Sequence, residues 1–297
     1  MSTTEIANFE ISGGDRGKWI ENISRILDLI KPAKEKDKNH ITLKLINISE
    51  EKIEPFHVVL LACFIEYVHT LGFKVYVDSD DAGVKSFLYS KLRLRDFYLE
   101  GQEYIESEDD KVFNLWKVVN SGAIGYSIKV TDYLNNKYFE DYDMTVLKVA
   151  LDEVYANIAD HAKANGVAYS FISYKPENKK IYVAVCDFGL GIAATLRSKY
   201  EKYKTDVEAL RDSIEVGVSA QTNQRNRGYG LNTIVSSLSN SDSLKIVSNK
   251  AILVSTGGTK KVNTLETAIP FHGCLIYFEI STDSFPLREI EEEITIS

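Results

Sequence analysis

Three short blocks constrain the fold of this chain more than any other feature of its sequence. Residues 147–161 carry apolar side chains at helical spacing, and residues 180–191 join a β-branched run to an aspartate and two glycines. Residues 227–238 then lead from glycines into a second helical pattern. Helical and strand patterns that alternate in this way predict an α/β fold.

The first block predicts a helix with two distinct faces. Glu153, Asn157 and His161 are four apart and form one polar stripe. Glu153 is a candidate general base, because apolar neighbours would raise its pKa. Asn157 offers a neutral oxygen of the kind that Mg²⁺ accepts beside phosphates. An ordinary solvated helix face explains the same stripe. The apolar face consists of Leu147, Ala150, Leu151, Val154 and Ile158.

The second block predicts a strand that ends in a turn. The run from Lys180 to Cys186 is apolar and β-branched, and Asp187 follows at its carboxyl end. An ionised Asp187 accepts hydrogen bonds and suits an exocyclic amine such as that of adenine. Gly189 and Gly191 would let the backbone approach a ligand closely. The alternative is a strand followed by a common Asp-x-Gly turn.

The third block predicts a glycine-rich entry into a helix. Gly228 and Gly230 precede a run of helical period that begins at Leu231. Free N–H groups and the helix dipole make such an entry an anion site, and Arg227 beside it could bind phosphate oxygens. The alternatives are a flexible glycine loop that only starts a helix, and a solvated arginine.

Together the three blocks resemble the gyrase, heat-shock, histidine-kinase and mismatch-repair (GHKL) ATPase family. The family's N box and its two glycine boxes are matched, in this order, by Glu153-x-x-x-Asn157-x-x-x-His161, Asp187-x-Gly189-x-Gly191 and Gly228-x-Gly230-Leu231. The N box, with its Glu and its His each four residues from the Asn, is most similar to that of the anti-sigma-factor serine kinases. The resemblance covers residues 112–280 and implies a Bergerat fold, an α/β sandwich with helices on one face of a mixed sheet.

The resemblance also implies a role for each of these residues. Glu153 would activate the attacking hydroxyl, Asn157 would bind Mg²⁺, and Asp187 would bind the adenine of ATP. The segment 192–227 would form a lid over the nucleotide. The phosphates would be held by the glycine boxes and their neighbours, namely Gly189, Gly191, Arg227, Gly228, Gly230 and Leu231.

One position departs from the pattern of the family. Where the family often has Gly-Thr at the start of a late strand, this chain has Gly273 and Cys274. The threonine helps to hold adenine through water. Cysteine is a poor hydrogen-bond partner, so we expect this contact with adenine to be weak or missing.

The N-terminal part of the chain has a different pattern. Residues 41–48 alternate like a strand, residues 55–71 read as an apolar helix, and residues 72–78 read as a second strand. This order predicts a parallel pair of strands in a small α/β domain. Over residues 10–105 it resembles a STAS domain, the fold of anti-sigma-factor antagonists, although any small βαβ domain has the same order.

The N-terminal helix also departs from the STAS pattern. In that family a phosphorylatable serine opens the helix, whereas Glu54-Pro55-Phe56-His57 occupies the position here.

An acidic stretch at residues 100–111 predicts the junction between two domains. The predicted fold class is therefore α/β, with a small STAS-like domain in residues 1–110 and a Bergerat-fold GHKL ATP-binding domain in residues 111–297.

Composition restricts the classes of function. The net charge of −8 argues against broad nucleic-acid binding. No apolar run approaches the roughly 20 residues of a membrane helix, and the first residues have no signal-peptide pattern. Three cysteines lie within apolar runs, which predicts buried thiols rather than disulfides or metal ligands. These features favour a cytoplasmic protein.

The predicted function is Mg-ATP binding with slow hydrolysis, or with transfer of phosphate to a serine or threonine of a partner protein. ATP, ADP and Mg²⁺ are the expected ligands, and the sequence leaves a homodimer open. The alternative is a nucleotide-gated interaction protein, in which ATP orders the lid with little turnover. A degenerate fold that binds no nucleotide is the third interpretation.

Overall fold

The computed structural model describes residues 7–30, 40–94, 107, 109, 111–118, 123–161, 167–215, 218, 230–257 and 261–288. Within these residues the protein is a mixed α/β structure with a parallel sheet and an antiparallel sheet. The general α/β class predicted from the sequence is confirmed. None of the described helices is both long and apolar enough to cross a membrane.

A three-stranded parallel sheet forms the N-terminal part. Its strands are β1 (Ala7–Ser12), β2 (His40–Ile46) and β3 (Lys74–Ser79), in the order β1-β2-β3. The helices of this part are α1 (Arg16–Ile30), α2 (Pro55–Thr70) and the short α3 (Ala82–Ser86). The strand, helix and strand predicted between residues 41 and 78 are confirmed.

Glu54, Pro55 and His57 form the start of α2. The Glu54 backbone N–H donates to Nδ1 of His57 at 3.0 Å, and Nε2 of His57 lies 3.2 Å from the Gly14 carbonyl oxygen. Burial lowers the pKa of His57 to about 4, so its imidazole is neutral at pH 7. Pro55 occupies the first turn of the helix, where its fixed φ is favourable and no N–H is needed.

A five-stranded sheet forms the C-terminal part. Its strand order is β4-β5-β6-β8-β7, and all four pairings are antiparallel. The mixed sheet implied by the family resemblance is therefore not what these strands form. The strands are β4 (Val112–Lys117), β5 (Ala168–Lys175), β6 (Lys180–Asp187), β7 (Ser243–Thr256) and β8 (Val262–Ser281).

Five helices of the C-terminal part cover one face of this sheet. They contribute to a hydrophobic cluster that includes Val183, Ile276 and Phe278 of the sheet. The helices predicted around Glu153 and after Gly230 are confirmed. They are α4 (Ala123–Tyr138), α5 (Thr145–His161), α6 (Ile192–Lys199), α7 (Asp206–Asp212) and α8 (Gly230–Ser237).

The opposite face of the five-stranded sheet packs against α1 and α2. Phe171 and Tyr277 of the sheet belong to the same buried cluster as Trp19 and Phe56 of the two helices. Arg16 on α1 extends this contact: its Nε lies 2.7 Å from Glu54, and its Nη2 donates to the Tyr277 hydroxyl at 2.8 Å. The N-terminal part and the sheet thus share one core. Most of the predicted junction at residues 100–111, namely residues 100–106, 108 and 110, lies outside the described residues.

Candidate functional site

The carboxylate of Asp187 is buried at the end of β6, on the central strand of the five-stranded sheet. Only 3% of the residue is exposed. Its Oδ1 accepts the Gly189 backbone N–H at 2.8 Å, and the Cys274 backbone N–H also stabilises the charged form. Burial outweighs both bonds and raises the pKa of Asp187 from 3.8 to about 7. The carboxyl group therefore changes charge near neutral pH.

Two glycines allow the chain to pack tightly around Asp187. Gly273 in β8 has a φ of +91°, and a Cβ at this position would lie 2.1 Å from the Asp187 carbonyl oxygen. Gly191 has a φ of +82°, and its Cβ would lie 2.5 Å from Oδ1 of Asn249. Both positions need glycine for its missing side chain as well as for its backbone freedom.

The Gly273→Ala substitution should destabilise the fold strongly. The added methyl group overlaps a backbone atom of Asp187, and the positive φ adds strain, so we expect a loss of roughly 3 kcal/mol or more in the free energy of unfolding. Gly72 is a matched control, since its φ is +89° and nothing lies within 4 Å of its Cβ. Gly72→Ala should cost about 1–2 kcal/mol. Equal losses for both variants in urea denaturation would contradict the close contact.

Asn157 of α5 meets Asp187 in a narrow pocket between the helix and the sheet. The space open to water in this pocket is only about 10 Å³, roughly the room for one water molecule. The Asn157 Nδ2 atom is buried and has no hydrogen-bond partner among the described residues. Such an atom is costly unless a ligand pairs with it. The pocket is lined by Asn157, Ile158, Asp187, Gly191, Ile192, Cys274 and Ile276.

Glu153 lies one turn before Asn157 on α5 and is half-buried. Burial, followed by the charge of Asp152, raises the pKa of Glu153 above its ordinary value of 4.5. Asp152 is itself held by Lys148, at 2.7 Å, and by the Ser127 hydroxyl. Of the described residues, Glu153 is not among those that line the narrow pocket. Its raised pKa makes Glu153 more basic than a solvated glutamate, but its side chain does not line the space that Asn157 and Asp187 share.

The second glycine box is only partly described. Arg227 and Gly228 lie outside the described residues, and so does most of the predicted lid after residue 215. α8 begins at Gly230, and the Leu231 side chain is buried in the core. Its neighbour Asn232 donates from Nδ2 to the Ile214 carbonyl oxygen at 2.9 Å, which ties α8 to the end of the preceding helical segment.

Ser248 and Asn249 of β7 are site residues that the sequence analysis missed. The Ala194 backbone N–H at the start of α6 donates to Oδ1 of Asn249 at 3.0 Å, and Nδ2 of Asn249 donates to the Leu190 carbonyl oxygen at 2.9 Å. The Ala193 N–H donates to the Ser248 hydroxyl at 3.4 Å. The N-terminus of α6 is thus capped from another strand rather than left open to an anion. Only the Ser-Asn pair after a strand pattern could have indicated this cap.

α2 of the N-terminal part lies directly behind the Asp187 turn. Cys63 Sγ donates to the Cys186 carbonyl oxygen at 3.2 Å, one residue before Asp187. The Tyr67 ring packs edge-on against Phe188, with ring centroids 5.6 Å apart. All three cysteines are free and buried, as the sequence predicted. A movement of the Asp187 turn would therefore change the contacts that Cys63 and Tyr67 of α2 make with it.

Comparison with known proteins gives no family assignment: no protein-family model matches the chain, and no curated protein is significantly similar to it.

Proposed function

We propose that this protein binds Mg-ATP in a GHKL-type site and acts as an ATPase or a serine/threonine protein kinase. In this proposal the C-terminal part is a Bergerat-fold domain and the N-terminal part is STAS-like. The observation that carries the proposal is the pairing of Asn157 and Asp187 in one pocket. Asn157 has a buried amide nitrogen with no hydrogen-bond partner in the described part of the chain, and Asp187 has a buried carboxyl group whose pKa is raised to about 7.

Asp187 suits an adenine better than it suits a structural role. A buried carboxylate that already accepts two backbone N–H groups still has lone pairs for an exocyclic amine. The apolar walls formed by Ile158, Ile192 and Ile276 suit a flat heterocycle. Because the pocket holds only about one water molecule, its walls must move apart when a base enters. Cys274 contributes its backbone N–H to Asp187, and its thiol replaces the family's threonine hydroxyl.

Asn157 fits the role of a metal ligand, since rotation of its amide by half a turn exchanges the buried nitrogen for the oxygen that Mg²⁺ prefers. When bound, Mg²⁺ would supply positive charge that neutralises the phosphates in the transition state. Glu153, one turn away, would accept the proton of the attacking water or hydroxyl, which its raised pKa favours.

A nucleotide-gated interaction protein with little turnover is the second proposal. The contacts of Cys63 and Tyr67 with the Asp187 turn favour it. If the pocket at Asp187 opens to admit a base, the turn after β6 moves toward α2. Nucleotide binding and the position of the N-terminal part would then be coupled. Both proposals share the same site and differ only in turnover.

Replacing Asn157 tests the nucleotide site most directly. Asn157→Ala should weaken ATP binding chiefly when Mg²⁺ is present, by roughly 1–3 kcal/mol, because it removes a metal ligand and leaves the Asp187 carboxyl group in place. Isothermal titration calorimetry with ATP, with and without Mg²⁺, measures this difference. Asn263→Ala, at an exposed position of β8, is the matched control and should change nothing. Equal losses with and without metal would count against Asn157 as the ligand, and wild type that binds no ATP would end the proposal.

A further inference from the structure

A second and wider cleft opens where the N-terminal part meets β4 and β5. Its volume is about 660 Å³, within the range of roughly 300–1,000 Å³ that is usual for small-molecule sites. One wall comes from the turn before α2 and from the start of α3, and the other comes from β4 and β5. We propose that this cleft binds a small organic amine with an apolar body.

The floor of the cleft is apolar. Ile53 precedes α2, Phe87 follows α3, and Phe171 lies on β5, and all three are buried within the core that joins the two parts. Val112 at the start of β4 adds to the same surface. An aromatic or aliphatic body of a ligand would contact this floor and remove its own apolar surface from water.

The carboxylates that line the cleft outnumber its ammonium groups and favour a positively charged ligand. Glu50, Glu51, Asp81 and Glu177 line the cleft, against the two ammonium groups of Lys111 and Lys175. A Cβ placed on Gly83 would lie 3.0 Å from Oδ1 of Asp81 and 3.1 Å from Oε2 of Glu50, so both oxygens border the same small space. An ammonium group has three N–H donors and can bond to both oxygens at once.

Both carboxylates are held in position by other bonds. Oδ1 of Asp81 accepts the Val84 backbone N–H at 2.8 Å and caps α3. The other oxygen of Glu50, Oε1, accepts from Lys91 at 2.6 Å, and this pair is half-buried. These bonds fix the side chains before a ligand arrives, which lowers the entropy cost of binding.

Ser173 gives independent support for a ligand. It lies on β5 two residues after Phe171, is only 8% exposed and lines the cleft, and its hydroxyl has no hydrogen-bond partner among the described residues. A buried hydroxyl without a partner costs free energy, and a second polar group on the ligand would remove that cost. The residues of this cleft are different from those around Asp187, so the two sites can be tested separately.

Tyramine is a suitable probe, because it carries an ammonium group, an aromatic body and a phenolic hydroxyl. Tyrosol has the same body with a hydroxyl in place of the amine. Calorimetric titration of the whole 297-residue chain should show tyramine binding at least about tenfold more tightly than tyrosol, as expected for a charge-assisted pair. Asp81→Asn keeps the helix cap and removes the charge, so it should abolish this preference, as should Glu50→Gln. Glu10→Gln, at an exposed position of β1, is the charge-matched control and should keep it.

Filling the cleft provides the second test. Ser173→Leu should block tyramine binding while the circular dichroism spectrum and the urea-denaturation midpoint show that the protein is still folded. Wild type that binds tyramine and tyrosol equally, or neither of them, overturns the proposal. Binding of tyramine by folded Ser173→Leu protein with unchanged affinity also overturns it. None of these outcomes depends on whether the protein binds ATP.

Discussion

Glu153→Ala should lower phosphoryl transfer by roughly 10²–10⁴-fold while ATP affinity changes no more than a few-fold, the usual contribution of a general base. Glu153 is half-buried, and burial raises its pKa, so in the folded protein it accepts a proton more readily than a solvated glutamate does. The substitution removes the proton acceptor and leaves Asn157 and Asp187 in place. Phosphate release, or transfer of labelled phosphate from ATP to a protein acceptor, measures the rate, and calorimetry measures the affinity.

Asp152→Asn is the matched control for this prediction. Asp152 is the neighbour of Glu153, and its charge is the second cause of the raised pKa. Its removal should keep most of the turnover but move the acidic limb of the pH–rate profile to lower pH, because Glu153 then ionises more easily. Turnover by Glu153→Ala at the wild-type rate would disprove its role as the base. An ATP-binding wild type without turnover would favour the nucleotide-gated alternative.

The helices and the strand of the site could be predicted from the sequence because the spacing of apolar residues differs between helices and strands. The helix of Glu153 and Asn157, the strand that ends at Asp187 and the helix after Gly230 all lie where their apolar patterns put them. The same periodicity located β2, α2 and β3, whereas β1 and α1 were not predicted. The turn predicted after the strand of Asp187 is also present, and Gly191 in it has a positive φ, which glycine adopts readily.

Other features depend on contacts between residues far apart in the chain, which periodicity does not report. The cap that Ser248 and Asn249 provide for α6 joins residues more than fifty positions apart. The close approach of Gly273 to Asp187 arises from strand pairing that no local pattern fixes. The packing of α2 behind Asp187 places Cys63 and Tyr67 against residues that lie more than a hundred positions later in the chain. Strand direction in the second sheet also depends on such pairing, which is why the mixed sheet implied by family resemblance was not found.

Asp187→Asn should make the free energy of unfolding less dependent on pH. In the folded protein the pKa of Asp187 is raised from 3.8 to about 7, so between these values the folded state keeps a proton that the unfolded state loses. Stability from this group is complete below pH 3.8 and is lost as pH rises through about 7, a change on the order of 4 kcal/mol. Asparagine has no charge to bury, so urea denaturation of the variant should lack this decline. A decline equal to that of wild type would show that Asp187 is not its source.

The same substitution should also change which nucleotide binds. The amine of adenine needs an acceptor, whereas the corresponding oxygen of guanine needs a donor, and asparagine can present its N–H₂ where the aspartate presented an oxygen. We expect Asp187→Asn to lose roughly 1–3 kcal/mol of ATP binding and to lose less GTP binding or none, so the ratio of the two affinities falls by about tenfold or more. Competition titrations with ATP and GTP measure this ratio directly. The proposed contact requires ionised Asp187, so ATP affinity should also fall as pH drops below about 7, and the part of this dependence that comes from Asp187 should be absent in the variant. An unchanged ratio together with an unchanged pH dependence would mean that the base does not contact Asp187, and the buried carboxyl group would then be a structural feature of the β6 turn alone.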